Sequence, residues 1–92
     1  MKVEWSDRAF SGLRAIAEYI EQNRSVETAN RISEAIFDAV QSLATMPWRG
    51  REGMMNNTRE MVIPGLPYIV VYMIIQDRVA IVNIIHGARQ RP

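Results

Sequence analysis

His86, Arg89, Arg59 and Arg51 are the side chains in this 92-residue chain whose chemistry could break a bond. His86 is the only histidine, and it stands three residues before Arg89. An imidazole transfers a proton near neutral pH, and a guanidinium fork holds a phosphate. Cleavage of RNA by its own 2′-hydroxyl needs such parts: a base, an acid for the leaving oxygen, and cations for the transition state. The same histidine can equally be a strand-end group bonded to backbone or to a carboxylate, since no second acid–base partner is written beside it. Other chemistries are poorly served. There is no Gly-x-Ser-x-Gly elbow and no Gly-Lys-Ser or Gly-Lys-Thr phosphate loop. With no cysteine, one histidine and no carboxylate cluster of calcium-loop spacing, neither a metal nor a cofactor is expected.

The remaining polar and adaptable residues suggest contact rather than catalysis. Arg49 and Arg51 flank Gly50, and Met54 and Met55 follow as adaptable apolar side chains. Arg59 alternates with Met61 and Ile63, so it shares their face and can reach a phosphate, a partner's carboxylate or an internal acid. Arg89 and Arg91 lie in a terminal tail. With Tyr68 and Tyr72 of the apolar segment described next, these are the candidate target- or partner-binding residues. The formal charge is +1, but it is uneven. Residues 1–46 carry five basic and seven acidic side chains, and residues 47–92 carry six arginines against three acids, so an anionic partner would meet the second half.

These residues must be positioned by a fold, and residues 67–75 dictate it. Pro-Tyr-Ile-Val-Val-Tyr-Met-Ile-Ile is rich in β-branched and aromatic residues and reads as a strand apolar on both faces. Around it, residues 2–5 alternate as a short strand. Ser6 caps a helix over residues 7–23, with Phe10, Leu13, Ile16, Ala17 and Ile20 at helical spacing. Ser25 caps a second helix that carries Ala29, Ile32, Ile36, Val40 and Leu43 and stops near residues 44–46 before Pro47. The short link makes the two an antiparallel hairpin. Residues 47–57 read as a loop with Trp48 tucked against the helix end. Residues 58–63, 67–75 and 79–86 make an antiparallel meander, with turns at 64–67, where Gly65 takes positive φ, and at 76–78. Two helices cover one face of such a sheet. The other face should stay open as an apolar patch, and the sheet edges invite another chain.

The ordered set Thr58-Arg59-Glu60, Pro67-Tyr68-Ile69-Val70-Val71-Tyr72, Asp77-Arg78-Val79 and Val82-Asn83-Ile84-Ile85-His86-Gly87-Ala88-Arg89 resembles the RelE/ParE superfamily of bacterial toxins. The front half agrees, with a short strand, a helical hairpin, Leu43, Pro47 and Gly50-Arg51 in order, so the likeness spans essentially the whole chain. The resemblance implies a single α+β toxin domain over residues 1–92 with the two-layer RelE/ParE-like order β-α-α-β-β-β. Its helical hairpin would pack on one face of a mainly antiparallel sheet. It implies the toxin of a type II toxin–antitoxin pair, acting in the cytoplasm without a membrane and neutralised by a cognate antitoxin that folds on binding. A homodimer or a higher toxin–antitoxin assembly, growth arrest and plasmid stabilisation belong to the same expectation.

RelE-like members cut messenger RNA on the ribosome, and ParE-like members poison DNA gyrase. The RNA-cutting branch resembles a site of several lysines and arginines, often with a tyrosine or histidine near the end. This chain has one lysine, Lys2, and no tyrosine after Tyr72, leaving Arg59, His86, Arg89 and Arg51 as matching candidates. The long hairpin and the His-Gly-Ala-Arg ending look more like the ParE branch. Gyrase inhibition without intrinsic catalysis is therefore the expectation. A ribosome-dependent endoribonuclease is the alternative, and a non-toxic interaction module the reading from another class.

Overall fold

The computed structural model describes residues 1–89. Strand β1 (Lys2–Trp5) leads to helix α1 (Asp7–Asn23), a one-turn link and helix α2 (Val26–Gln41). The Ser6 and Ser25 hydroxyls accept the backbone N–H groups of Ala9 and Thr28, both at 3.0 Å, so both expected caps close the first turns. Helix α2 ends at Gln41, earlier than Pro47 alone requires. There the Ser42 hydroxyl donates to the Ala39 carbonyl (2.6 Å), and 3-10 turns follow at Ser42–Ala44 and Pro47–Arg49.

The sheet has five strands in the order β1-β5-β4-β3-β2. Strands β3 (Arg59–Val62), β4 (Tyr68–Ile75) and β5 (Arg78–His86) form the expected antiparallel meander. Gly65 holds φ +77° in the first turn, which costs glycine nothing, while Gln76 takes φ 55° in the second. Two pairings add to the expected scheme. Strand β1 lies parallel to β5, Lys2 opposite Arg78 and Trp5 opposite Ile81. The segment Arg51–Glu52, expected as loop, forms β2 against Arg59 and Glu60. Two residues are too few to show a period, so the strand exists only through its partner.

Both helices pack on the face bearing Met61, Tyr68, Val70, Tyr72, Val79 and Ile81, which joins Ile36, Val40 and Leu43 in the core. A β-bulge extends that face. Val71 opposes Asn83 while Tyr72 opposes Ile81, so Val82 is the extra residue. The inward row on β5 therefore steps from Ile81 to Ile84, which is 3% exposed. The Asn83 amide oxygen accepts the Ile84 N–H (2.9 Å) beside the irregularity.

The opposite face corrects the expectation of an open apolar surface. Ile69 and Val71 are only 4% and 6% exposed. Ile69 lies beside Gly87, at the 3-10 turn Gly87–Arg89, where the Gly87 N–H donates to the Pro67 carbonyl (2.8 Å). Val71 shares a groove with Met54, Met55 and Ile85, lined by residues of the loop that precedes β3. Loop and turn thus close one half of the face. Met73 and Ile75 stay half-buried and Val62 is exposed, so the apolar patch is smaller than the sequence suggested. Among the described residues, no helix is long and apolar enough to cross a membrane.

Candidate functional site

The segment after α2 is shaped by two side chains that reach it from the sheet. Tyr72, fully buried at the middle of β4, donates its hydroxyl to the Pro47 carbonyl and accepts the Gly50 N–H, both at 2.8 Å. Arg59, at the start of β3 and directly opposite Tyr72, donates to the Trp48 carbonyl (3.1 Å) and to the Gly50 carbonyl. Its guanidinium carbon also sits 5.2 Å from the centre of the Trp48 ring, a cation–π contact. Trp48 itself is 66% exposed, displayed on the held loop rather than tucked against the helix end. Gly50 is buried in this crossing. A Cβ there would stand 2.6 Å from the Tyr72 hydroxyl and 2.9 Å from the Glu60 carbonyl.

The next stretch is organised by the Glu60 carboxylate, which is not among the candidates the sequence singles out. Glu60 is 8% exposed on the sheet face away from the helices. It accepts the Met54 N–H (3.3 Å) and pairs with Arg51 at 3.5 Å. Residues 53–58 close on themselves through Gly53 N–H to the Thr58 carbonyl (2.8 Å) and Thr58 hydroxyl to the Met55 carbonyl (2.6 Å). Met54 and Met55 are left 68% and 60% exposed. A charged residue flanked by Met61 and Val62 on one side and by Arg59 on the other, within a strand, is the signal that singles out Glu60. Between Trp48, this loop, Arg59 and the end of β4 at Met73–Ile75 lies an open groove of about 610 Å³.

The remaining candidates scatter. Arg49 donates to the Ser42 hydroxyl (3.1 Å) at the end of α2. His86 ends β5 opposite Tyr68, whose ring it meets edge-on at 5.6 Å, and its Nδ1 accepts the Ala88 N–H (3.1 Å). Arg89 follows in the backbone turn, and Arg91 lies outside the described residues. Tyr68 is 8% exposed and Tyr72 is fully buried, so both serve as core anchors rather than the contact residues expected of them. Burial, and secondarily the nearby Tyr19, hold the Tyr68 hydroxyl above the ordinary tyrosine value.

Arg59 and His86 flank β4 four residues apart, opposite Tyr72 at its middle and Tyr68 at its start respectively. That separates them by roughly 13 Å along the strand and about 10 Å across it. His86 and Arg59 so placed do not flank one scissile phosphate, and of the candidate cations in the described backbone only Arg89 lies near His86 in the chain. Arg51, paired to Glu60, sits on the Arg59 side. The arrangement presents Trp48 and Arg49 on a braced turn and Arg51 at the start of β2, next to exposed methionines, which suits binding of another macromolecule.

Comparison with known proteins gives the family. The family model described as the ParE toxin of the type II toxin–antitoxin system, parDE, matches residues 3–91. The chain belongs to the ParE toxin family. Two relatives agree with this. The Sinorhizobium fredii protein Y4kP, which carries a provisional toxin name, is 37% identical over 91 residues, covering 99% of this chain and 93% of its own. Toxin RelE2 of Caulobacter vibrioides is 36% identical over 88 residues, covering 96% and 97%. Among solved structures, one described as the chromosomal ParDE system from P. aeruginosa superposes with a TM-score of 0.87 over 94% of this chain and 95% of that one. At 19% identity that likeness is one of fold. This ParE-family toxin therefore has the α+β arrangement expected of it, with two helices on a five-stranded mixed sheet.

Proposed function

We propose that this toxin arrests growth by binding DNA gyrase in the cytoplasm, without chemistry of its own, and that a cognate antitoxin neutralises it. The observation that carries this reading is the separation of Arg59 from His86, together with the engagement of Arg49, Arg51 and Arg59 by groups of the same molecule. Cations already spent on carbonyls, a hydroxyl and a carboxylate brace a surface better than they stabilise a transition state. The match to the ParE family supports the same target. The antitoxin would fold along the apolar residues still uncovered, Met54, Met55, Val62, Met73 and Ile75, because coupled folding covers a large area while leaving the free inhibitor labile.

The purified chain is expected to inhibit gyrase in a supercoiling assay and to leave messenger RNA intact in a translation extract. Co-purified antitoxin should relieve the inhibition. The second reading, messenger cleavage on the ribosome, is favoured by the relative named RelE2. Under it, His86→Ala abolishes cleavage, whereas gyrase inhibition should survive that substitution. Full supercoiling activity in excess toxin, with transcripts cut in the extract, would overturn the gyrase proposal.

A further inference from the structure

We infer that the outer edge of β1 is a self-association surface that takes a second copy of this chain, the two β1 strands pairing antiparallel about a two-fold axis at Val3. This is independent of the toxin's target. Strand β1 ends the sheet and pairs only with β5 among the described residues, so the backbone groups on its other side have no strand partner. The opposite end of the sheet is blunted by β2, only two residues long, whereas β1 offers four. Val3 and Trp5 border the core but remain half-buried. Trp5 is sandwiched between Phe10 (5.0 Å, 17°) and Phe37 (6.0 Å, 12°), and each of those rings is 48% exposed. An apolar rim therefore borders the open edge on the helix side.

The charges select the occupant and the register. On the other face, Lys2 and Glu4 stand 3.5 Å apart, with Arg78 3.0 Å from Glu4. A two-fold axis normal to a sheet keeps each residue on its own face, and directly opposed residues in an antiparallel pair share a face. Only axes that pass through a residue position satisfy both conditions. An axis at Lys2 opposes two lysines, and an axis at Glu4 opposes two glutamates, both unfavourable. An axis at Val3 sets Lys2 against the second copy's Glu4 twice over and leaves valine facing valine. It also brings Met1 toward the second copy's Trp5 and its flanking rings. A sequence written Lys-Val-Glu on an open edge is thus complementary to itself in one register. The product is a ten-stranded sheet continuous across the axis.

The test is sedimentation velocity of the isolated full chain over rising concentration, with circular dichroism to verify folding. The native chain should show a concentration-dependent monomer–dimer equilibrium. Lys2→Glu and Glu4→Lys each turn both opposed pairs into like charges and should each weaken the dimer by about tenfold or more. Mixed one to one, the two variants should recover the dimer, because each cross-strand pair is again opposite in sign. The Lys2 side chain is 75% exposed, so its substitution leaves the fold intact. Glu4→Gln, which removes the charge without reversing it, should fall between native and reversed. A native chain that stays monomeric, variants that dimerise as tightly as the native chain, or a mixture that fails to recover would each overturn the proposal. So would a cognate antitoxin segment found paired to this edge with no self-association of the free toxin.

Discussion

The Tyr72 hydroxyl accepts the Gly50 N–H at 2.8 Å across the interior, tying the middle of the sheet to the loop that displays Trp48. Because the same hydroxyl donates to the Pro47 carbonyl, one oxygen holds the chain at two points three residues apart. Tyr72→Phe leaves the ring's packing in place and strands both partners, at a cost of about 1–3 kcal/mol. Urea denaturation should show a lower midpoint at an unchanged slope.

Gly50→Ala tests the same crossing from the other side. The added methyl would meet the Tyr72 hydroxyl, its ring edge at 2.9 Å, and the Glu60 carbonyl. Backbone and a buried ring do not yield easily, so the substitution should cost about 1–3 kcal/mol through overpacking. In the double variant with Tyr72→Phe, the losses should fall short of additive, since the two residues share one contact. Thermal or urea unfolding of the four proteins measures this directly.

Arg59→Lys separates bracing from charge. Lysine keeps the positive charge but lacks the planar guanidinium, one terminal nitrogen of which reaches both carbonyls while the group lies over the indole. Trp48 should then gain mobility, read as a fall in fluorescence anisotropy in a Trp5→Phe background. Gyrase inhibition should weaken several-fold even though no charge has been removed.

Tyr68 predicts a pH dependence. Its hydroxyl titrates above the ordinary value of 10.0, chiefly because burial penalises the phenolate. A raised folded value means the native state holds the proton more tightly than the unfolded chain. The associated stability is fully present below the unfolded value and is lost as pH rises through the folded one. Urea midpoints taken from about pH 9 to about pH 11 should fall, and Tyr68→Phe should flatten part of that fall.

Locally encoded features were legible in the sequence. Ser6 and Ser25 cap their helices because a hydroxyl before an apolar-periodic run needs no distant partner. The central strand is legible from Tyr68 to Ile75 because β-branched and aromatic residues crowd it. Features made by distant partners were not. Arg51 and Glu52 become a strand only because Glu60 and Arg59 lie opposite. The bulge at Val82 appears only when the register of β4 against β5 is fixed. Arg59 shares the face of Met61 and Ile63 as its spacing implies, yet it is spent on two backbone carbonyls rather than on a phosphate or an acid, and carbonyls are groups that every residue possesses and that no sequence pattern marks. Ile69 and Val71 are buried under a loop and a turn, covers that no periodic pattern announces.

The parallel pairing of β1 with β5 carries a consequence for when the toxin comes into being. The Ser6 hydroxyl bonds the Val82 carbonyl across 76 residues, so the first strand has nothing to lie against until β5 has been synthesised. Contacts this far apart also close slowly. The helical hairpin is therefore made before the strand that docks β1, and β1 finds its place in the sheet only when β5 exists. Until that sheet is complete, the apolar stripes of α1 and α2 lack the surface they bury against.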